Sequence, residues 1–511
     1  MNKLRYVNLA LCFLSFTLCG ARDWNPVGDF CKSQVPADLS DAISVAYPMD
    51  LVPENMSAEV VADILNHGEE LFRASKSCGP RMAPENRIIL DLTTTEYGEL
   101  SLLLDEQHGE EAYEIIVSGP MDWVDFAAVW DCAIEGNLQV LDLRNARLRN
   151  NEVPDYALYD PVQFTARHWL GIREIILPDD VVKIGKAAFP FMMLEEINIP
   201  ASLRELGSTA FAYDHWLISE LEIPEGVEEI KHQTFIDCLS LSSAPKLPST
   251  LKKIGDHAFS NDPFEHITLN EGLEVIGQGA FQAVGLKEIT IPRSIVRLAP
   301  MSFQMSPQLQ SINLPETLET VPYGAFSLCE GLERIELPEG VRMVDGQAFL
   351  WCSKLKDVIF PETLETIETW AFSGCKINSV VFPASLKVLC DDSFSVYGLQ
   401  NVYCKSVSPP ECVLGELGGP FVDEWLDEEE TKLYVPVGCK ELYSAQWQWN
   451  KFKEIIETDE FPSSGVEVVM PGKVADGKIY DLYGREIAEP APGQIYIQDG
   501  KKKVKINSLN F

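Results

Sequence analysis

The chain has 511 residues, 46% of them hydrophobic and 23% charged, which excludes an intrinsically disordered protein. Its 78 acidic side chains against 41 basic ones leave a formal charge of −37, which repels nucleic acid and anionic membrane and removes both as expected partners. After the N-terminal segment no stretch reaches the ~18 apolar residues of a membrane helix, so no integral membrane segment is expected.

Lys3 and Arg5, the apolar run from Tyr6 to Leu18 and the small Cys19-Gly20-Ala21 read as a secretory signal, residues 1–21, cleaved near Ala21. The mature chain is therefore expected to be exported, at the cell surface or in the medium. The alternative is a lipoprotein anchored through Cys19, although Phe16-Thr17-Leu18 in front of it are bulkier than that signal uses. Residues 22–137 form an N-terminal α/β region. Ser57 to Phe72 has helical spacing with Ser57 as its cap. Ile88–Leu92, Leu100–Leu104 and Tyr113–Val117 read as strands. Trp123–Ala133 reads as an amphipathic helix entered through Gly119-Pro120.

Further on, a phenylalanine recurs every 22–25 residues, most often as Ala-Phe: Phe164, Phe189, Phe211, Phe235, Phe259, Phe281, Phe303, Phe326, Phe349, Phe372 and Phe394. A period of this size marks a solenoid, in which each short unit buries its apolar side only against its neighbours. Aligned on phenylalanine, the unit reads L-x-x-I-x-I-P-x-x-L-x-x-I-x-x-x-A-F-x-x-C, as in Leu332 to Pro338, Val341, Val344 and Ala348-Phe349. The I-x-I segment is a short strand with one face buried, and proline ends it by removing a ladder donor. Twelve such strands begin between Leu138 and Leu399. The fold class is thus mainly β, a solenoid of about twelve rungs over 138–404, with Phe189 to Phe394 stacked as its spine. Three departures are local. Pro245 and one extra residue in Leu241–Leu247 predict a bulge. Asn270 replaces the strand-ending proline. Around Phe164 the unit is degenerate, and Tyr156-Ala157-Leu158 also resembles the Ala-Phe element.

Cys238, Cys329, Cys352 and Cys375 each follow a spine phenylalanine by three residues, so they read as a repeat position filled by buried thiols. Cys31 with Cys78, and Cys404 with Cys412, are looser disulfide candidates in an oxidising compartment.

This unit resembles the leucine-rich repeat of the BspA-like family of Bacteroides-type secreted and surface proteins. The likeness covers about residues 138–404, and apolar Leu203, Val227 and Val341 stand where other leucine-rich repeats carry an asparagine ladder. The resemblance implies adhesion to host matrix proteins such as fibronectin and fibrinogen, or to other bacteria. It also implies an N-terminal cap before Leu138 and a closing cap over 405–461, made of a strand at Leu433–Gly438 and an aromatic helix at Tyr443–Ile456. Residues 462–511 form a small β tail. Its Ile479–Ile487 and Gly493–Ile497 are similar to a C-terminal sandwich used as a type IX sorting signal, which also occurs in proteins without that route.

Catalytic and cofactor motifs are missing. The chain holds no H-E-x-x-H, no G-x-S-x-G and no phosphate loop, so no catalytic residue, metal or cofactor is assigned. His257 and His266 read as repeat-edge residues, and the acidic run Asp423–Glu430 as a solvated face lacking the glycine and alternating ligands of a calcium loop. The middle residue of each I-x-I motif points outward. Ile359, Val381 and Tyr403 make an apolar step on three adjacent rungs and are the candidate partner-binding residues; the alternative is that the acidic segment 411–430 folds over them. The expected function is non-enzymatic binding, as a monomer, of a host-matrix or bacterial-surface protein or a glycan. The rival is a glycan-acting enzyme or glycan-binding protein with its site in the N-terminal region.

Overall fold

The computed structural model describes residues 87–159, 170–218, 220–415, 418–421 and 431–462, with four short strands of the tail. The signal segment with Cys19, the 57–72 helix, Cys31, Cys78, Phe164 and the acidic run 423–430 lie outside the described residues.

The N-terminal region is a βαβαβ unit: β1 (Ile89–Thr93), α1 (Leu100–Glu106), β2 (Glu114–Met121), α2 (Trp123–Glu135) and β3 (Val140–Leu148). The strand expected at Leu100–Leu104 is the helix α1. Alternation would bury Leu100, Leu102 and Leu104 together, whereas Leu100 and Leu104 are buried and Leu102 is 65% exposed, the spacing of one helix face. The buried Asp125 carboxylate organises this corner. It accepts Gly98 N and Asp122 N at 2.8 Å through Oδ2 and Leu100 N at 3.0 Å through Oδ1. Asp122 caps α2 by accepting Val124 N at 3.0 Å.

Strands β1, β2 and β3 are parallel, with a register shift between Ile116 and Ser118 against β3, and lead into the first rungs at Glu174–Ile176 and Glu196–Ile197. Strands Lys432–Val435 and Glu454–Glu457 continue the stack after Asn401–Cys404. The ladder therefore passes the expected twelve rungs at both ends and makes about fifteen turns. The reason is that caps without the Ala-Phe element still supply an in-register strand.

Each rung has three walls. The first carries the I-x-I strands. The second carries two-residue strands such as Thr320–Val321, Met343–Val344, Thr366–Ile367 and Val388–Leu389, paired in parallel. Backbones approach closely beside this second wall: a Cβ on Gly207 would lie 2.3 Å from the Gly185 carbonyl. The third wall is the Ala-Phe turn, in which residues two before and two after phenylalanine take positive φ, as Gln347 (59°) and Trp351 (57°) do around Phe349. This alternation aims the phenylalanine amide along the stack. Phe326 N donates to Ala348 O and Phe349 N to Ala371 O, at 2.9 and 2.8 Å.

The rings Phe189 to Phe394 form one column with centroids 5.1–6.0 Å apart, all but fully buried. The column continues into Phe421, which meets Phe394 edge-on at 6.4 Å and is covered by Trp449 and Phe452. Before Phe189 the slot belongs to Leu158, whose amide donates to Ala188 O at 2.9 Å.

The first wall is weakest at Leu217–Leu269. Between Glu196–Ile197 and Glu288–Thr290 the described residues of this wall keep only the isolated bridge Glu222↔Lys246. Pro245 removes a donor beside that bridge. Asn270 does more than replace proline: its amide donates to Pro248, Ser249 and Leu251 carbonyls at 2.9–3.0 Å and ties down the preceding turn. The closing cap differs from the expected long helix. It is a short helix Lys440–Ser444, a 3-10 turn Trp449–Lys451 and the strand Glu454–Glu457. Gln448, at φ 72°, breaks the helical path.

The chain divides into two compact units between Gly465 and Val466. The second holds a four-stranded antiparallel sheet, with Ile479–Tyr480 paired to Glu486–Ile487 and Ile495–Gln498, and the latter to Lys501–Val504.

Candidate binding face

A parallel, in-register ladder converts sequence periodicity into columns of side chains, so one outward position repeated over successive rungs becomes a stripe. The first wall does this at its C-terminal end. Glu336 pairs with Ile359, Val381 with Tyr403, Tyr403 with Tyr434, and Tyr434 with Ile456. Val381, Tyr403, Tyr434 and Ile456 thus form one outward row, and Ile359 holds the equivalent repeat position one rung earlier, on a separate two-stranded sheet. The Tyr403 and Tyr434 rings stack at 4.4 Å with planes 14° apart. Val381 is only 8% exposed and forms the floor of the row, while the other four are half-buried.

Tyr434 and Ile456 were missed because they follow Pro409-Pro410, where the Ala-Phe spacing stops; the alternation of Lys432–Val435 and Glu454–Glu457 was the available signal. The described part of the acidic segment goes elsewhere. Glu411–Cys412 pairs with Val388–Leu389 as the last strand of the second wall.

Polar ladders flank the row. Lys405 reaches Glu362 at 2.6 Å, and Lys432 reaches Glu454 at 3.2 Å. Rung-to-rung ion pairs recur along the solenoid. Glu365 bridges Arg342 (2.9 Å) and Lys387 (2.6 Å), and these partners hold its carboxyl below the ordinary range, the Lys387 bond most of all. Glu205 is held low in the same way, first by Lys231 at 2.6 Å.

The thiols sort into two groups. Cys329, Cys352 and Cys375 are free and fully buried, each Sγ donating to the preceding rung's phenylalanine carbonyl at 3.1–3.2 Å. Cys404 and Cys412 are also free, against the expected bridge. They sit on different walls, and Tyr443 Oη donates to Cys404 Sγ at 3.2 Å.

His257 packs edge-on to His232 at 6.5 Å, and burial pushes it down to about 4. Among the described residues no three ligating side chains are placed to hold a metal ion, and no helix is long and apolar enough to cross a membrane. In the N-terminal sheet the structure brings Glu114, Asp142 and Glu174 together. Burial, then Asp142 and Glu174, raise Glu114, while Arg144 Nε binds Asp142 at 2.9 Å.

Residues 166–284 and 274–400 match the BspA type leucine rich repeat region, in six copies. Three solved structures are similar. A leucine-rich repeat protein from Bacteroides ovatus is 24% identical over 56% of this chain and 69% of its own, with TM-score 0.41. One from Eubacterium ventriosum is 18% identical over 60% and 88%, with TM-score 0.37. A leucine rich cell surface protein from Faecalibacterium prausnitzii is 18% identical over 52% and 81%, with TM-score 0.26. No curated protein matches the chain. The matched repeats coincide with the rungs that stack the phenylalanine column, so residues 166–400 of this chain carry repeats of the BspA type.

Proposed function

We propose that this is an exported, cell-surface binding protein that takes a host-matrix or bacterial-surface protein on the outward row Ile359, Val381, Tyr403, Tyr434 and Ile456. The carrying observation is the row itself: Val381, Tyr403, Tyr434 and Ile456 paired in register, with Ile359 at the same repeat position one rung before, on a wall whose other outward positions are mostly polar or ion-paired. Such a row supplies an apolar contact line with a polar rim, the usual anatomy of a recognition surface. The excess of carboxylates around it favours a partner with a basic patch, so association weakens as salt rises. The signal-like N-terminus supports export, and the tail 466–511 is assigned to sorting; deleting it should leave the protein inside the cell envelope.

The test uses the full mature chain against immobilised fibronectin, fibrinogen and a polysaccharide panel. Tyr403→Ala with Tyr434→Ala, and separately Ile359→Lys, should weaken saturable protein binding at least about tenfold, since truncating one central contact costs above ~1 kcal/mol. Unchanged binding by both variants overturns the face, and no saturable protein binding at all overturns the function. Protease shaving of intact cells checks the surface location.

A second reading, a glycan-acting site in the N-terminal region, is favoured by the Glu114, Asp142 and Glu174 cluster alone. It requires turnover of a polysaccharide that Glu114→Gln abolishes. The Arg144 bond to Asp142 makes a structural ion pair the stronger reading of those carboxylates.

A further inference from the structure

In seven of the ten spine rungs the residue three places after phenylalanine is a buried polar side chain bonded to the rung before it; Met192, Val284 and the exposed Tyr397 fill the position in the others. In five rungs it is a thiol or hydroxyl: Cys238, Ser306, Cys329, Cys352 and Cys375 donate to the carbonyls of Phe211, Phe281, Phe303, Phe326 and Phe349 at 3.1–3.2 Å. In two rungs it is an aspartate. Asp214 Oδ1 accepts Met192 N at 2.9 Å, and Asp262 Oδ1 accepts Cys238 N at 2.9 Å. Both residues are 0% exposed, and in both the second oxygen, Oδ2, has no hydrogen-bond partner.

An ionised carboxylate in this position would be a buried charge with one bare oxygen, which costs several kcal/mol. The neighbouring rungs show what the slot offers instead. There the same position donates a proton to the phenylalanine carbonyl one rung back. A neutral carboxyl can do both jobs, accepting the amide through one oxygen and donating through the other.

We propose that Asp214 and Asp262 are carboxylic acids in the folded protein, donating Oδ2–H to the carbonyls of Phe189 and Phe235, and that together they form a proton-dependent latch in the middle of the solenoid. Cys238 lies between them and donates to Phe211 O. The other titratable groups at this place are Asp237, which accepts from the Asn261 amide at 3.1 Å, and His215 beside Asp214. Burial pushes Asp214 and Asp262 well above the carboxylate range, with Asp237 adding to Asp262. Burial likewise pushes Asp237 up to about 7 and lowers His215 to about 3, so the histidine adds no compensating charge at neutral pH. An acid whose folded pKa is raised contributes stability that is complete below its unfolded pKa and is lost as pH rises through the folded one. The latch therefore holds in acid and loosens in alkali. Among the described residues the first wall keeps only the Glu222↔Lys246 bridge in this stretch, so the latch works against the second wall and the Ala-Phe turn, whose rung-to-rung bonds are intact.

The test is urea unfolding of the full chain between about pH 5 and 9, for wild type, Asp214→Asn with Asp262→Asn, and the corresponding double alanine variant. Asparagine keeps an acceptor oxygen, replaces the acid's O–H by an amide N–H donor and carries no charge at any pH. The asparagine pair should keep the acid-side midpoint and lose the alkaline decline, a change of about two protons in the slope; the alanine pair should be weaker at every pH. An asparagine pair with the wild-type slope overturns the proposal. Infrared spectroscopy decides the case even if that variant does not fold: wild-type protein at about pH 7.5 should retain a protonated-carboxyl stretch, which Asp237→Asn leaves in place. A spectrum with carboxylate bands alone overturns it.

Discussion

The rungs carrying Phe303 to Phe372 and those carrying Phe189 to Phe259 follow one backbone path yet are held differently. In the first group the inward position after phenylalanine is a small donor, Ser306, Cys329, Cys352 or Cys375; the second wall is paired from Thr320–Val321 to Val388–Leu389, and the first wall pairs Glu288–Thr290 with Ser311–Asn313 and Arg334–Glu336 with Asp357–Ile359. In the second the position runs Met192, Asp214, Cys238, Asp262, and after the paired strand Glu196–Ile197 the described part of the first wall keeps one bridge, Glu222↔Lys246. The phenylalanine column is common to both, with ring centroids 5.4 Å apart at Phe211–Phe235 and 5.1 Å at Phe349–Phe372. The repeat thus separates two tasks. Stacked rings supply cohesion everywhere, while the inward polar position sets how each stretch responds to conditions.

If cohesion resides in the column, Phe326→Ala and Phe235→Ala should each cost ~3–5 kcal/mol, with the same loss in the regular and the interrupted stretch. Urea midpoints give both values. A loss under ~1 kcal/mol at Phe235 alone would show that the middle rungs are held by something other than their rings.

The contrast at the inward position can be transplanted. Cys352→Asp places an acid where a thiol donates to Phe326 O at 3.1 Å. Its cost should be modest near pH 5, where the acid can donate in the thiol's place, and should grow by roughly 2–4 kcal/mol toward pH 8 as burial opposes ionisation. A pH-independent loss would mean that shape, and not the proton, decides the slot.

Much of this was legible from residues alone, for a physical reason. A solenoid repeats one packing problem, so the period of phenylalanine reports the column, and I-x-I reports the first wall. What escaped notice lies where the repeat changes its chemistry. Phe421 extends the column from a turn without the Ala-Phe signature, whereas Leu158, which fills a phenylalanine slot, was readable from Tyr156-Ala157-Leu158. α1 was misread because Leu-Ser-Leu-Leu-Leu alternates as well as it spirals, and the arbiter, Asp125, is distant in sequence. In the candidate face, Ile359, Val381 and Tyr403 were readable as a row, whereas Tyr434 and Ile456 joined it only through strand register.

The smallest expected effect lies outside both cores. Glu365 sits between Arg342 and Lys387, and Glu205 between Lys231 and, at 3.9 Å, Lys183, so both stretches carry the same surface ladder. Their pKa values are lowered, opposite in sign to the buried acids. Such a group contributes stability above its unfolded pKa and loses it as pH falls through the folded one. Glu365→Gln and Glu205→Gln should therefore lower the midpoint slightly at neutral pH, less toward pH 3, and not at all in about 1 M salt, where exposed pairs are screened. Equal small losses in the two stretches would confine their difference to the interior. A larger, salt-resistant loss at Glu205 would instead place part of the middle rungs' cohesion on the surface, where the missing strand pairs leave room for it.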